Sequence, residues 1–160
     1  MILYHSSYTQ IRNPDINHSR NAVDFGPGFY TTPILEQAKK WSMKFLKAGQ
    51  IPIVSKYELD EKAFKKLKVK RFDSYSEDWL NFIIAGRKGL IIGDYDLIIG
   101  SVANDKVFNT IELFLDDLID KDQAIKRLKY EKPNLQYCFK SQRAIDLYLT
   151  FSGSEIYVSQ

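Results

Sequence analysis

The order of strand-like and helix-like segments constrains this chain more than any other feature of its sequence. Apolar runs rich in β-branched and aromatic residues predict strands at residues 1–5, 29–32, 51–59, 63–72, 95–103, 135–139 and 156–159. Apolar residues at three-to-four spacing predict helices between Pro33 and Gly49 and at residues 77–86, 109–119, 121–129 and 143–149. This mixed order favours an α+β fold over a doubly wound parallel sheet. Because the chain begins and ends with a strand, we expect these two strands in neighbouring sheet positions.

Length and composition predict a single domain over residues 1–160. The 160 residues are 44% hydrophobic and 27% charged, which excludes a disordered, collagen-like or coiled-coil chain. No internal repeat and no Pro/Gly/Ser-rich linker divides the sequence. Ten Tyr and ten Phe can fill one core and still line a cleft.

The charge balance is mildly basic, with 23 Lys and Arg against 20 Asp and Glu and a net charge of +3. This balance tolerates a phosphate-bearing ligand but is below that of a dedicated nucleic-acid binder. Residues 65–71 concentrate positive charge in Lys65, Lys66, Lys68, Lys70 and Arg71. These side chains either contact nucleic-acid phosphates or form the solvated face of an edge strand, and both interpretations stay open.

The single cysteine, Cys138, cannot form an internal disulfide, and no Cys/His cluster has the spacing of a zinc site. We therefore expect no metal and a reducing, cytoplasmic location. The first residues lack the basic stretch and apolar run of a signal peptide. No window approaches the length of about 18 apolar residues that spans a membrane, so we expect no membrane partner.

His5 ends the first predicted strand and is followed by Ser6 and Ser7. A histidine in this place either presents a ring nitrogen to a ligand hydroxyl or forms a hydrogen bond with backbone at the edge of the core. The second role is the commoner one for a lone histidine.

A sharp break at Gly26-Pro27-Gly28 precedes the strand-like residues Phe29 and Tyr30. The glycines permit a tight turn and a close approach to a ligand. Side chains alternate along a strand, so we expect one of the two aromatic residues in the core and the other facing out. A tyrosine facing a cleft can stack on a planar ring. The alternative is a plain hairpin turn before a core strand.

Polar residues near the later strands have two possible roles. Asp94 and Asp96 lack further ligands at metal spacing, and we interpret them as caps of turns and helices. Gln136 lies in an otherwise apolar strand, where it either bonds a ribose diol or faces water from an edge. Cys138 shares its face of the strand and is interpreted as a buried structural thiol.

Four segments together resemble the DUF3990 family. They are Tyr4-His5 and the stretches 24–32, 94–105 and 136–139. The resemblance covers residues 1–151, and its most specific part is Gly-Phe-Tyr-Thr-Thr at residues 28–32. The family is similar to ADP-ribosyltransferases of the His-Tyr-Glu type, so the resemblance implies a split β-sheet with flanking helices and an NAD-binding cleft.

The resemblance also implies roles for individual residues. His5 matches the histidine that bonds the adenosine-ribose hydroxyl, and Tyr30 matches the tyrosine that stacks on nicotinamide. Gln136 falls where the third motif residue, usually a glutamate, begins its strand. The implied cofactor-binding set is His5, Ser6, Arg20, Gly28, Phe29, Tyr30 and Thr31. Arg20 is placed at the pyrophosphate, because guanidinium groups pair well with phosphate oxygens.

The neutral Gln136 departs from the family pattern. A carboxylate stabilises developing positive charge and can act as a base, whereas a carboxamide only forms hydrogen bonds. Glu155 is the nearby alternative acid, but the turn-like Ser152-Gly153-Ser154 before it argues against that position.

The resemblance implies an NAD-dependent mono-ADP-ribosyltransferase that acts on a macromolecular acceptor, a protein or a nucleic acid. It is also compatible with a toxin-like effector that has a small neutralising partner protein. NAD glycohydrolysis is the closely related activity. The alternatives are an NAD- or ADP-ribose-binding module without turnover and a nucleic-acid-directed binding protein. NAD is then a substrate, and no metal is required.

Overall fold

A computed structural model describes residues 1–18, 23–73, 75–90, 93–129 and 134–158. Within these ranges the chain forms seven strands and six α-helices. The strands are β1 (Ile2–Ser7), β2 (Phe29–Thr31), β3 (Ile53–Leu59), β4 (Val69–Arg71), β5 (Leu97–Gly100), β6 (Gln136–Phe139) and β7 (Leu149–Ile156). The helices are α1 (Leu35–Lys47), α2 (Ala63–Lys66), α3 (Glu77–Arg87), α4 (Asp105–Leu115), α5 (Lys121–Leu128) and α6 (Gln142–Tyr148).

The strands form two sheets, and the mixed α+β class predicted from the sequence is confirmed. One sheet has the order β1-β3-β7 and the other the order β2-β6-β5-β4. All strand pairs are antiparallel except β4 with β5. A bridge between Tyr4 and Thr32 joins β1 to the end of β2, so the two sheets meet at this point. Residues at the ends of β1 and β2 therefore lie where the sheets separate.

The second sheet is covered on both faces, which explains why its strand β5 is apolar throughout. All four residues of β5 are buried. Ile98 faces a core that contains Phe25, Trp79 and Cys138. Leu97 belongs to the other core, on the opposite face of the sheet. Strands buried on both faces read as continuous apolar runs rather than alternating ones.

Helix boundaries follow local chemistry. α1 begins two residues after Pro33, and it ends before Gly49, whose φ of +75° is left-handed. The other long helices begin at a side chain that accepts a hydrogen bond from a backbone N–H of the first turn. These side chains are Ser76 for α3, Asn104 for α4, Asp120 for α5 and Ser141 for α6.

Several predicted boundaries were wrong. Residues 63–72 form the short helix α2 and then the edge strand β4, because Ala63 and Leu67 pack into a core. The helix predicted at 109–119 begins earlier, at Asp105, since Asn104 caps it. The last strand is β7, not residues 156–159, and the predicted turn at 152–154 lies inside it. β1 and β7 share a sheet but flank β3 instead of pairing with each other.

Candidate functional site

Three adjacent strands carry the three residues predicted to act together. His5 lies on β1, Tyr30 on β2 and Gln136 at the start of β6. Tyr30 is paired with Cys138 across β2 and β6, and Gln136 precedes Cys138 by two positions. Paired residues, and residues two apart on one strand, point to the same face of a sheet. Tyr30 and Gln136 therefore share a face.

His5 is fixed through one nitrogen and open at the other. Its Nδ1 lies 2.7 Å from the backbone oxygen of Tyr30. Because a carbonyl oxygen only accepts, Nδ1 carries the proton and Nε2 is left as an acceptor. No described residue bonds Nε2, and no buried side-chain nitrogen or oxygen in the described ranges lacks a partner, so Nε2 reaches solvent.

The His5 ring stays neutral at ordinary pH. Burial lowers the pKa of His5 to about 4 and outweighs the bond to Tyr30, which acts in the opposite direction. The ring also packs against Phe29 at a centroid distance of 4.4 Å. His5 thus meets β2 through the Tyr30 backbone and the Phe29 ring, and not through the Tyr30 side chain. The backbone bond expected of a histidine at this place is formed, and its ligand role stays a prediction.

The Tyr30 hydroxyl is used to hold the preceding turn. It accepts a hydrogen bond from the backbone N–H of Phe25 at 2.9 Å and donates one to the oxygen of Gly26 at 2.5 Å. The Tyr30 ring lies parallel to Phe25 at 6.5 Å, and burial raises its pKa far above the ordinary value. Only the ring, and not the hydroxyl, is left for stacking on a ligand.

Lys140 holds the same turn from the strand end. Its Nζ donates to the backbone oxygens of Phe25, at 2.6 Å, and of Pro27. Burial lowers the pKa of Lys140. The Gly-Pro-Gly turn is thereby fixed by two side chains, the Tyr30 phenol and the Lys140 ammonium group.

Gln136 is 3% exposed, so it does not face water from an edge strand. Its Nε2 donates to Asp24 Oδ2 at 3.0 Å and to the backbone oxygen of Ser101 at 3.4 Å. Its Oε1 accepts no hydrogen bond from a described residue and is not fully enclosed, so it lies in the small exposed fraction of this side chain. Gln136 Oε1 is thus an acceptor without a described partner at the start of β6.

The other predicted binding residues have structural contacts. Ser6 Oγ donates to the backbone oxygen of Ala38 at 2.5 Å, and Thr31 Oγ1 donates to that of Tyr137 at 3.0 Å. Phe29 is a core residue at 7% exposure. The close approach at Gly28 is made to β6, because an added Cβ would lie 2.4 Å from Cys138 Sγ. Arg20 lies outside the described residues.

Asp24 and Arg87 are the site residues that sequence reasoning missed. Asp24 is 7% exposed, and Arg87 donates to its Oδ1 from Nη2 at 2.7 Å and from Nε at 3.1 Å. The available signal was an acid two residues before the Gly-Pro-Gly turn, but its partner is 63 positions away.

The acids at 94 and 96 were predicted to cap turns and helices, but the structure gives them other partners. Asp94 pairs with Lys68 at 2.8 Å. Asp96 accepts a hydrogen bond from Ser141, the residue that caps α6, and from the backbone N–H of Lys68. No cluster of His, Cys, Asp and Glu suited to a metal ion occurs in the described ranges.

The basic stretch at 65–71 is partly neutralised. Lys68 bonds Asp94, and Lys70 bonds Asp78 at 2.9 Å. Its strand β4 lies at the edge of the second sheet, as the charge pattern predicted. This arrangement favours a solvated edge strand over a phosphate-binding patch.

Two open grooves lie away from these residues. One of about 420 Å³ is bounded by Arg12, Gln142, Asp146 and Phe151. The other, of about 280 Å³, is bounded by Tyr4, Lys56 and Glu155. Tyr4 adjoins His5 in the chain, but neither groove is lined by His5, Tyr30 or Gln136.

Comparison with known proteins identifies the family of this chain. A family model described as "Protein of unknown function (DUF3990)" matches residues 1–151. The chain belongs to the DUF3990 family. Searches of the curated proteins and of the solved structures gave no match. The four segments that carried the resemblance all lie within the matched part of this DUF3990 protein, and none of its described helices is long and apolar enough to cross a membrane.

Proposed function

We propose that this DUF3990 protein is an NAD-dependent mono-ADP-ribosyltransferase of the cytoplasm, with a split-sheet fold like that of the His-Tyr-Glu enzymes. One observation carries the proposal. Two acceptor atoms without a partner among the described residues, His5 Nε2 and Gln136 Oε1, belong to the strands on either side of β2, where Tyr30 shares a face with Gln136 and His5 packs against Phe29 on the other face. Ribose hydroxyls are hydrogen-bond donors, and NAD has one ribose on each side of its pyrophosphate.

The three residues have complementary roles in this proposal. His5 Nε2 accepts a hydrogen bond from a hydroxyl of the adenosine ribose, in the tautomer that its bond to Tyr30 selects. The Tyr30 ring supports the nicotinamide ring by stacking. Gln136 Oε1 accepts from the 2′-hydroxyl of the nicotinamide ribose, where positive charge develops as the leaving group departs.

The reaction breaks the bond between C1′ of the ribose and the nicotinamide nitrogen. The electron pair of that bond neutralises the pyridinium, and nicotinamide leaves. A lone pair of the acceptor, a macromolecular side chain or water, forms the new bond at C1′, and the acceptor's proton passes to solvent. Since a carboxamide is not a base, this site suits the transfer of a single unit or hydrolysis better than chain formation.

Binding without turnover is the second candidate, and the neutral Gln136 favours it. Calorimetry with NAD and a chromatographic assay for free nicotinamide separate the two. The transferase predicts NAD binding, release of nicotinamide and labelling of a macromolecule from labelled NAD in cell extract. The binding module predicts NAD or ADP-ribose binding with no product.

Matched variants make this experiment specific. His5→Ala and Gln136→Ala should weaken NAD binding or nicotinamide release by about tenfold or more, which corresponds to the loss of one well-placed hydrogen bond. The exposed His18 and Gln50 provide controls, as His18→Ala and Gln50→Ala. Absence of both NAD binding and nicotinamide release in the unmodified protein would overturn the proposal.

A further inference from the structure

The Asp24 carboxylate links its own segment to three other parts of the chain, at Arg87, Ala103 and Gln136. Its Oδ1 accepts two hydrogen bonds from the Arg87 guanidinium at the end of α3. Its Oδ2 accepts from the backbone N–H of Ala103 at 2.9 Å and from Gln136 Nε2 at 3.0 Å. Every donor around this buried carboxylate therefore belongs to a residue distant in sequence, and Gln136 is the one on the candidate site.

These contacts fix which way the Gln136 carboxamide faces. Its NH₂ group lies against two groups that only accept, the Asp24 carboxylate and the backbone oxygen of Ser101. A flipped amide would place Oε1 against those same oxygens. The orientation with Oε1 directed away from Asp24 is thus the one that satisfies all the hydrogen bonds.

We propose that Asp24, held by Arg87, is a positioning residue that turns the Gln136 oxygen toward the ligand and makes glutamine, rather than glutamate, the residue that fits at position 136. The ligand-binding part of this inference rests on the proposed function. The preference for glutamine over glutamate at position 136 is a property of the folded protein and does not depend on a ligand.

A glutamate at position 136 would place a second negative charge beside the Asp24 carboxylate. One carboxylate oxygen would replace Nε2 at about 3 Å from Asp24 Oδ2 and close to the Ser101 oxygen. Two carboxylates sharing a buried site cannot both ionise without a large cost. The neutral side chain at this position is thus matched by a buried acid beside it.

The test is a double-mutant cycle of Gln136→Glu, Asp24→Asn and the two together, read by thermal denaturation at pH 8 and pH 5. We expect Gln136→Glu to lower Tm by about 5 °C or more at pH 8 and by less at pH 5, where the added carboxyl is protonated. The double variant should be several degrees more stable at pH 8 than the sum of the single changes predicts. Gln50→Glu adds the same charge at an exposed site and should leave Tm nearly unchanged.

The neighbouring titratable groups do not produce this pH dependence. Arg87 keeps its charge over the whole range. Tyr30 and Cys138, which share the face of Gln136, have pKa values raised by burial and stay neutral between pH 5 and 8. The pH dependence that distinguishes Gln136→Glu from the unmodified protein is therefore a property of the carboxyl pair.

Ligand binding gives the second readout. In Asp24→Asn, the asparagine can donate to Gln136 Oε1 and allow the carboxamide to flip, so we expect about tenfold weaker NAD binding in a protein that still folds. Additive, pH-independent Tm changes in the cycle, or unchanged NAD affinity in Asp24→Asn, would overturn this inference while leaving the proposed function intact. If the unmodified protein binds no NAD, the proposed function fails, and the Tm cycle still decides whether Asp24 selects glutamine.

Discussion

The imidazole of His5 and the backbone oxygen of Tyr30 are joined by a 2.7 Å hydrogen bond between strands that belong to different sheets. It lies one residue from the Tyr4–Thr32 bridge, at the point where the sheets separate. The bond both links the sheets and leaves Nε2 as an acceptor.

The free energy of unfolding should depend on pH in the way expected of a protein with a buried neutral histidine. The pKa of His5 is about 4 in the fold, against 6.5 when exposed, so the unfolded chain binds the proton more readily between these values. Its contribution is fully present above about pH 6.5 and is lost as pH falls toward 4, by at most about 3 kcal/mol. Denaturation of the wild type and of His5→Gln at pH 4, 5, 6 and 7 measures it.

The wild type and His5→Gln should differ in how steeply the free energy of unfolding changes with pH. The wild type should lose more stability than His5→Gln between pH 6.5 and 4. Parallel curves would show that the imidazole is not held neutral. NAD affinity should also be constant from pH 5.5 to 8, whereas a histidine of ordinary pKa would change its charge within that range.

Tyr30→Phe separates the two roles of this tyrosine. Loss of the hydroxyl leaves the Phe25 N–H and the Gly26 oxygen without their partner, and we expect a loss of about 1–3 kcal/mol in the free energy of unfolding. The ring remains, so NAD binding should stay within about threefold of the wild type. Tyr8→Phe, at a tyrosine that is 55% exposed, is the matched control and should change neither property. An equal effect of both substitutions in urea denaturation would contradict this assignment.

Gly28 is required for packing and not for a left-handed backbone. A Cβ at Gly28 would lie 2.4 Å from Cys138 Sγ and 2.8 Å from the Phe139 oxygen, so Gly28→Ala should cost at least about 3 kcal/mol. Gly89→Ala meets no atom within 4 Å and is strained only by its φ of +73°, which costs about 1 kcal/mol. Chemical denaturation of the two variants compares these costs. A Gly28→Ala protein as stable as Gly89→Ala would show that β2 and β6 are farther apart.

Arg87→Met should be one of the more damaging substitutions of a charged residue in the chain. It leaves the buried Asp24 carboxylate without its main partner, and we expect a loss of about 3 kcal/mol. Lys121→Met breaks an ion pair of similar length, 2.9 Å, but on the surface, and should cost at most about 1 kcal/mol. Thermal denaturation at low and at 1 M salt tests both, since only the surface pair is strongly screened.

Much of the fold follows from local sequence, and the exceptions have physical causes. The apolar runs of β1, β3 and β6 and the capped helix α5 were located within a few residues. β7 was missed because Ser152-Gly153-Ser154 has the composition of a turn. Pairing with β3 overrides that preference, and Gly153, with φ +149°, lies beside a register shift in the pairing.

The candidate site was predictable only where a single polar residue interrupts an apolar run. His5 and Gln136 stand out from such runs in the sequence. The bond of Asp24 to Arg87 joins the Gly-Pro-Gly segment to the end of α3, and no local pattern reports a contact formed by tertiary packing. The same holds for the Tyr30 hydroxyl, whose bonds depend on how the turn folds back over its own strand.

A crystal structure of the protein soaked with NAD tests the central claim most directly. The account predicts an adenosine-ribose hydroxyl within hydrogen-bond distance of His5 Nε2, the nicotinamide ring or its vacated site against Tyr30, and the second ribose at Gln136 Oε1. Dinucleotide bound elsewhere, such as in the groove beside Arg12 and Phe151, with these three residues untouched, would contradict it.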